Sequence, residues 1–196
     1  GVQVILLVED SVRFYSSYLP NMYKIVFNQS NAFMSEGLNE HQQTLRRRGR
    51  PKILLATNFE DAVELYDKYK NNLLGVISDI SYKRNGKEDA QAGLKFVDYI
   101  RNQDEFIPMV LQSSDDEWEK IAMQKGLGFI NKNSKSLSLE LKHFMMEYFA
   151  FGDFVFVEPE SKRELMRAPD LKALQQKIFE VPDDSMAYHI YRNHLS

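Results

Sequence analysis

The stretch Leu73-Leu74-Gly75-Val76-Ile77-Ser78-Asp79 decides how the rest of the chain is read. It is a short apolar run that ends in one acid and is followed by a polar segment, Ile80 to Asp89. A run of this length between turn signals reads as a buried parallel strand. Asp79 then stands at the carboxyl end of that strand, and in open α/β sheets ligands bind beyond that edge. Taken alone, Asp79 can also be a plain loop cap. Four further stretches decide between the two.

Upstream, Val2 to Val8 is β-branched and apolar and reads as a buried first strand, closed by Glu9-Asp10-Ser11. Two adjacent acids past a buried strand are either solvated or hold a cation, and hard divalent cations take carboxylate oxygens. Val12 to Arg48 has a helical pattern that Pro20 should break or kink, closed by Gly49 and Pro51. The cluster Arg46, Arg47, Arg48, Arg50 and Lys52 lies where cations favour a helix C-terminus. Arg48-Gly49-Arg50-Pro51 also resembles an AT-hook core, but the chain is acidic overall and a strand follows at once. That strand is Lys52 to Thr57. Asn58, with Asp61 three residues on, caps a helix from Phe59 to about Lys70.

Downstream of Asp79, the loop Ser81 to Gln91 is polar and reads as mobile. A third helix follows from Gly93 to about Gln103. Ile107 to Gln112, with Pro108 near its start, is a fourth strand ending in Ser113-Ser114. Asp115, Asp116 and Glu117 favour a helix start, and Gly126 ends that helix. Leu127 to Asn131 is a fifth strand ending in Lys132, and Ser134 can cap a fifth helix, Lys135 to Phe149. Strand and helix patterns thus alternate five times, which specifies an α/β fold with a parallel sheet and helices on both faces.

The polar residues converge at one edge. Strand one delivers Glu9 and Asp10, strand three Asp79, strand four Ser113 and strand five Lys132. That set suits phosphoryl transfer to Asp79, because a carboxylate can act as a nucleophile and form an acyl phosphate. Its own charge repels the incoming group, so a divalent cation is needed. Glu9, Asp10 and Asp79 would hold Mg²⁺, Lys132 would supply a point charge, and Ser113 would donate a hydrogen bond.

With these residues the sequence resembles the response-regulator receiver domains of two-component signalling. Ile5-Leu6-Leu7-Val8-Glu9-Asp10-Ser11 is similar to the family's first strand and acidic pair, and Val76-Ile77-Ser78-Asp79 to its phosphoacceptor strand. Gly93-Leu94-Lys95-Phe96-Val97 resembles its third helix, and Pro108-Met109-Val110-Leu111-Gln112-Ser113-Ser114 the strand ending in a hydroxyl. Gly128-Phe129-Ile130-Asn131-Lys132 resembles the lysine strand. The resemblance implies a flavodoxin-like five-stranded parallel sheet of order 2-1-3-4-5. It implies phosphorylation at Asp79, a metal-ligating main-chain carbonyl at Ser81, and switch residues Ser113 and Phe129. Self-phosphorylation from a donor and self-dephosphorylation would be its only catalysis. The implied partners are a sensor histidine kinase or phosphotransfer protein and a C-terminal output module.

Three features depart from the family. Asn133 follows the lysine where proline is usual. Asp10 to Asp79 spans 69 positions, where two helices, two strands and their loops need roughly 50. The surplus falls near Asn28 to Arg50, as a lengthened first helix or an added hairpin that would serve docking or a homodimer contact. The third is the tail. The receiver is expected over 1–150, with 151–196 as an α+β extension or linker to a missing module. In that extension Asp153 to Val157 reads as a strand, Leu165 to Phe179 as helical from about Pro169, and Ser185 to Leu195 as a last short helix. The tail weakly resembles the linker after receivers at the N-terminus of phosphoenolpyruvate synthase or pyruvate phosphate dikinase-like proteins. His189 and His194 are five apart, which does not place two zinc ligands on one helix face.

Composition bounds the alternatives. The 196 residues are 43% hydrophobic and 27% charged, ordinary for a globular protein. A net charge of -3 gives no general attraction to nucleic acid or acidic membranes, so DNA binding through Arg46 to Lys52 is disfavoured. No apolar run approaches a membrane span. The absence of cysteine excludes disulfides and thiolate metal sites and suits a reducing, cytoplasmic setting. The chain opens with Gly1 and ends without a stop signal, so it reads as a piece of a longer protein. A phosphatase of the haloacid-dehalogenase kind also uses an aspartate nucleophile, but it wants a second Asp where Ser81 stands. A receiver-like interaction scaffold that takes no phosphate is the remaining alternative.

Overall fold

The computed structural model describes residues 2–32, 50–149, 154–157 and 164–168, together with Glu180 and Pro182. The chain divides into two compact units, Gly1–Met145 and Met146–Ser196.

In the first unit the apolar runs pair as parallel strands, because helical crossovers return each one to the same end of the sheet. The strands are β1 (Val4–Val8), β2 (Lys52–Ala56), β3 (Leu73–Asp79), β6 (Met109–Ser113) and β7 (Gly128–Asn131). Their order is β2-β1-β3-β6-β7, which is the expected 2-1-3-4-5 arrangement of a flavodoxin-like sheet. The register aligns Val8 with Ala56 and Ser78, Asp79 with Gln112, and Ser113 with Asn131. All five carboxyl ends therefore meet at one edge.

The helices are α1 (Val12–Ala32), α2 (Phe59–Tyr69), α3 (Ala92–Arg101), α4 (Glu117–Gln124) and α5 (Leu137–His143). Side chains alternate between the faces of a strand, so each strand feeds two cores. Leu6, Val8, Val76, Met109 and Leu111 pack with Ala62 and Tyr66 of α2, Phe96 and Ile100 of α3, and Ala122 of α4. The opposite set, Ile5, Leu7, Ile77, Val110 and Ile130, is buried together with Tyr18, Met22 and Val26 of α1 and Leu141 of α5.

Local chemistry explains the element ends. Asn58 caps α2 as expected: its Oδ1 accepts from the Asp61 N–H at 2.8 Å, and its Nδ2 donates to Asp61 Oδ2 at 2.7 Å. Gly126, at φ +68, closes the segment after α4. At the start of α5 the helix cap falls on Ser136, and Ser134 Oγ accepts from the Ser136 N–H at 3.2 Å.

Several expectations are corrected. Pro20 neither ends nor splits α1, which runs through it for 21 residues. Pro20 and Ser16, whose carbonyl loses its partner, are both exposed, so water can take the missing bond. The stretch expected as a mobile loop after Asp79 forms an antiparallel hairpin, β4 (Tyr82–Arg84) with β5 (Lys87–Asp89). Its turn is Asn85-Gly86, with φ of 52 and 72, the positive pair that Asn-Gly adopts readily in a two-residue hairpin turn.

In the second unit β8 (Phe154–Val157) pairs antiparallel with β9 (Glu164–Ala168). Leu165 to Ala168, joined by the sequence to a helix from about Pro169, is thus strand. The rest of the tail helices, His189 and His194, residues 33–49 of the insertion and the arginines 46–48 lie outside the described residues. Among the described residues no helix is long and apolar enough to cross a membrane.

Candidate functional site

Strand parity builds the site. Glu9 continues the Ile5–Leu7 series of β1, Asp79 the Ile77 series of β3, Gln112 the Val110 series of β6, and Lys132 the Ile130 series of β7. All four thus fall on the sheet face that carries α1 and α5. All four are buried, Glu9 and Gln112 completely.

Their polar atoms meet one another, except that Gln112 Oε1 is buried without a partner. Lys132 Nζ lies 2.6 Å from Asp79 Oδ2 and 2.6 Å from Glu9 Oε2, so one ammonium serves two carboxylates. Asp79 Oδ1 accepts from the Ile80 N–H at 2.7 Å. Glu9 Oε2 also accepts from Gln112 Nε2 at 3.0 Å, and Glu9 Oε1 from the Ser11 N–H at 3.0 Å. The Phe14 ring of α1 covers the ammonium, its centroid 4.3 Å from Nζ. Lys132 is itself positioned by its backbone N–H, which donates to the Ser113 carbonyl at 2.9 Å.

Burial decides the proton affinities. It pushes Glu9 up to about 7, helped by the Asp79 charge and opposed by Lys132. Asp79 is also raised, first by burial, against the pull of Lys132 and of the Ile80 N–H. One turn along α1 from Phe14, the Tyr18 hydroxyl is buried without a hydrogen-bond partner. Burial and the nearby carboxylates Glu9, Asp79 and Glu140 raise its pKa. On the other side of β3, Ser78 Oγ donates to the Asp79 carbonyl at 2.8 Å and sits 3.2 Å from the Tyr82 hydroxyl. The backbone beneath Asp79 is held on that side too. A Cβ on Gly93 would lie 2.1 Å from the Asp79 carbonyl oxygen, so α3 approaches this closely only because residue 93 has no side chain.

The sequence-expected residues are distributed as follows. Glu9, Asp10 and Asp79 each offer a carboxylate oxygen within 4.8 Å of the others. Fully ionised, three carboxylates against the one ammonium of Lys132 would carry a net charge of −2, which suits a hard divalent cation. Ser81 is exposed, in the bend between β3 and β4. Ser113 Oγ is engaged elsewhere, accepting from the Asp115 N–H at 3.1 Å at the entry to α4. Its parity is that of Leu111, opposite to Gln112, so it leaves the sheet on the other face from the Glu9–Lys132 pair. Phe129 is partly buried and packs against the core under α2, α3 and α4.

Three participants were not singled out from the sequence: Gln112, Phe14 and Tyr18. Gln112 carries a readable signal, a polar residue in register with Asp79 inside an apolar strand. Phe14 and Tyr18 are four apart on a helix that starts beside the acids, which also marks them as neighbours.

No family model matches the chain, and no curated protein matches it. Among solved structures, the response regulator receiver domain protein from Clostridium thermocellum is 15% identical, with a TM-score of 0.46 over 72% of this chain and 90% of that one. The CheX-CheY-BeF3-Mg complex from Borrelia burgdorferi is 21% identical, with a TM-score of 0.48 over 74% and 90%. The Mn(2+)-bound form of the response regulator Rcp1 is 14% identical, with a TM-score of 0.45 over 75% and 94%. These neighbours are receiver domains and response regulators. None of the three is a phosphoenolpyruvate synthase or pyruvate phosphate dikinase. The fold assignment rests on strand order and register.

Proposed function

We propose that this chain is a phosphoacceptor receiver, in which Asp79 takes a phosphoryl group in a Mg²⁺-dependent reaction and the change is read by an output module. The observation that carries this is the Asp79 carboxylate. It is buried at the carboxyl edge of the sheet, with one oxygen on Lys132 and Glu9 and Asp10 close by.

A carboxylate oxygen of Asp79 attacks the phosphorus of a phosphorylated donor. The phosphorus–oxygen bond to Asp79 forms as the bond to the donor's leaving group breaks, and the leaving group departs with the electron pair. Glu9, Asp10, Asp79 and the main-chain carbonyl of Ser81 would hold Mg²⁺. When bound, the cation supplies positive charge against the carboxylates and the phosphoryl oxygens. Lys132 keeps a compact ammonium at the Asp79 oxygens, where negative charge accumulates. The Ile80 N–H fixes the orientation of the carboxylate. Phe14 and the buried face of α1 exclude water from the ammonium.

Ser113 and Phe129 are the switch residues of this reading. Ser113 would exchange its bond from the Asp115 N–H for one to a phosphoryl oxygen, loosening the entry to α4. The donor is a sensor histidine kinase, a phosphotransfer protein or a small acyl phosphate. The module switched lies C-terminal to the receiver, taken as 1–150, with 151–196 as the connection. The residues of the 28–50 insertion offer a docking or dimer surface. The setting is cytoplasmic, and catalysis is limited to self-phosphorylation and self-dephosphorylation.

A second reading is a receiver-like scaffold that takes no phosphate. It is favoured by the single ammonium that ties Glu9 to Asp79. Intact mass after incubation with Mg²⁺ and a small acyl phosphate separates the two. One phosphoryl group on the wild type, none on Asp79→Asn and none with chelator is the expected result. No gain on the wild type, with Mg²⁺ binding shown separately, makes the scaffold the better account.

A further inference from the structure

At the amino edge of the sheet, opposite Asp79, the second half of α1 and the entry to β2 enclose a groove of about 860 Å³. That volume falls within the ~300–1,000 Å³ usual for small-molecule sites. Its lining includes the cations Lys24, Arg50 and Lys52, the rings of Tyr23 and Phe27, and the buried Val26, with no carboxylate among the described lining residues. Three details say what it would take. The Arg50 guanidinium stacks over the Phe27 ring at 5.3 Å, while its Nε–H is buried with no hydrogen-bond acceptor. The Tyr23 hydroxyl is anchored on the Ile53 carbonyl at 3.4 Å, yet Tyr23 is 50% exposed and Phe27 53% exposed. Tyr23 and Phe27 stand four apart, one turn of α1, so the two rings face the same side.

A planar guanidinium held against a ring is shaped for the paired oxygens of a phosphate or carboxylate. Three cations with no acid among the described lining residues call for more than one negative charge, which a diphosphate carries and a lone carboxylate does not. Two half-exposed rings beside the cations offer a flat body a stacking platform. We propose that this groove binds a nucleoside diphosphate, its phosphates on Arg50, Lys24 and Lys52 and its base against Tyr23 and Phe27. The site stands apart from Asp79 and does not depend on the phosphoacceptor reading.

Calorimetric titration of the whole chain with adenosine diphosphate, in chelator so that the acidic edge is not engaged through a metal, tests this. Saturable binding is expected, at least about tenfold tighter than for pyrophosphate or adenosine alone. Arg50→Gln and Phe27→Ala should each weaken it by about tenfold or more, and Asp79→Asn should leave it unchanged. Raising the salt concentration should weaken it, because the contacts are to exposed charge. Should Arg50→Gln melt early, Lys24→Gln, which changes only an exposed side chain, carries the same expectation. The proposal is overturned by no saturable binding up to about 1 mM. Affinity unchanged in the variants overturns it, as does pyrophosphate binding as tightly as the nucleotide. So does capture of an acidic peptide by a chain that ignores the nucleotide.

Discussion

At the carboxyl edge of the sheet Glu9, Asp10 and Asp79 cluster, two of them on one ammonium, whereas at the amino edge Lys24, Arg50 and Lys52 line a groove with no carboxylate among its described lining residues. The first cluster is buried and neutralises part of its charge internally. The second is open: Lys24 and Lys52 are exposed, and Arg50 lies partly buried on the Phe27 ring. Burial makes the difference. A carboxylate taken out of water must find a counter-charge or keep its proton, while an exposed cation needs neither. A net charge of -3 for the whole chain therefore hides two local fields of opposite sign at the two ends of one sheet.

The largest expected effect comes from breaking the closed end. Lys132→Met removes the cation that Glu9 and Asp79 share and leaves two buried carboxylates facing each other. Urea unfolding should show a loss of about 3–5 kcal/mol, larger at pH 8 than at pH 5.5, where Glu9 can keep its proton. A loss below about 1 kcal/mol would mean that the acidic edge is as well solvated as the basic one. Gly93→Ala tests the same end from the backbone. The new Cβ meets the Asp79 carbonyl oxygen at 2.1 Å and Ile80 Cα at 2.8 Å, and neither is a flexible side-chain tip. A cost of about 2 kcal/mol or more is expected, together with slower phosphoryl uptake because Asp79 itself must shift.

The pH dependence sharpens the contrast. Glu9 rises from an ordinary 4.5 to about 7 in the fold, and Asp79 is raised as well. Between those values the folded chain holds more protons than the unfolded one, so stability falls as pH rises through the window from 4.5 to about 7. In chelator, the unfolding free energy should drop on the order of 2 kcal/mol across it. Excess Mg²⁺ should flatten that slope, because a cation on Glu9 favours the ionised form. A slope indifferent to Mg²⁺ would remove Glu9 from the ligand set.

How far the sequence carries depends on whether a signal is local or comes from register. The five strands, the Asn58 cap and the gathering of Glu9, Asp10, Asp79 and Lys132 at one edge were legible, because apolar runs and strand ends are local signals. The hairpin after Asp79 was legible too, in Asn85-Gly86, but its polar strands masked it as a loop. Pro20 was overruled by position: it lies on an exposed stretch of α1, where a lost carbonyl bond costs little. The sharing of Lys132 between two acids was not legible, since that geometry depends on side-chain reach across three strands. Nor was the groove, because Tyr23 and Phe27 read as one helix face and Arg50 as part of a helix end.

The smallest effect separates a necessary polar residue from a tolerated one. Gln112 is completely buried on the sheet, its Nε2 donating to Glu9 Oε2 at 3.0 Å and its Oε1 without a partner. Gln112→Met deletes a hydrogen bond to a carboxylate, a loss of about 1.5–3 kcal/mol taken alone. It also removes the orphaned Oε1, whose burial costs about 1–3 kcal/mol, and it keeps the side-chain volume. The two nearly cancel, so the unfolding free energy should change by less than about 1 kcal/mol. The effect should surface in the proton affinity of Glu9. With one donor gone, its pKa should rise, which carries the stability loss to higher pH and deepens it by about 1.4 kcal/mol for each unit of rise. A large stability loss with an unmoved midpoint would mean that Gln112 is held there for packing, and that Glu9 answers to Lys132 alone.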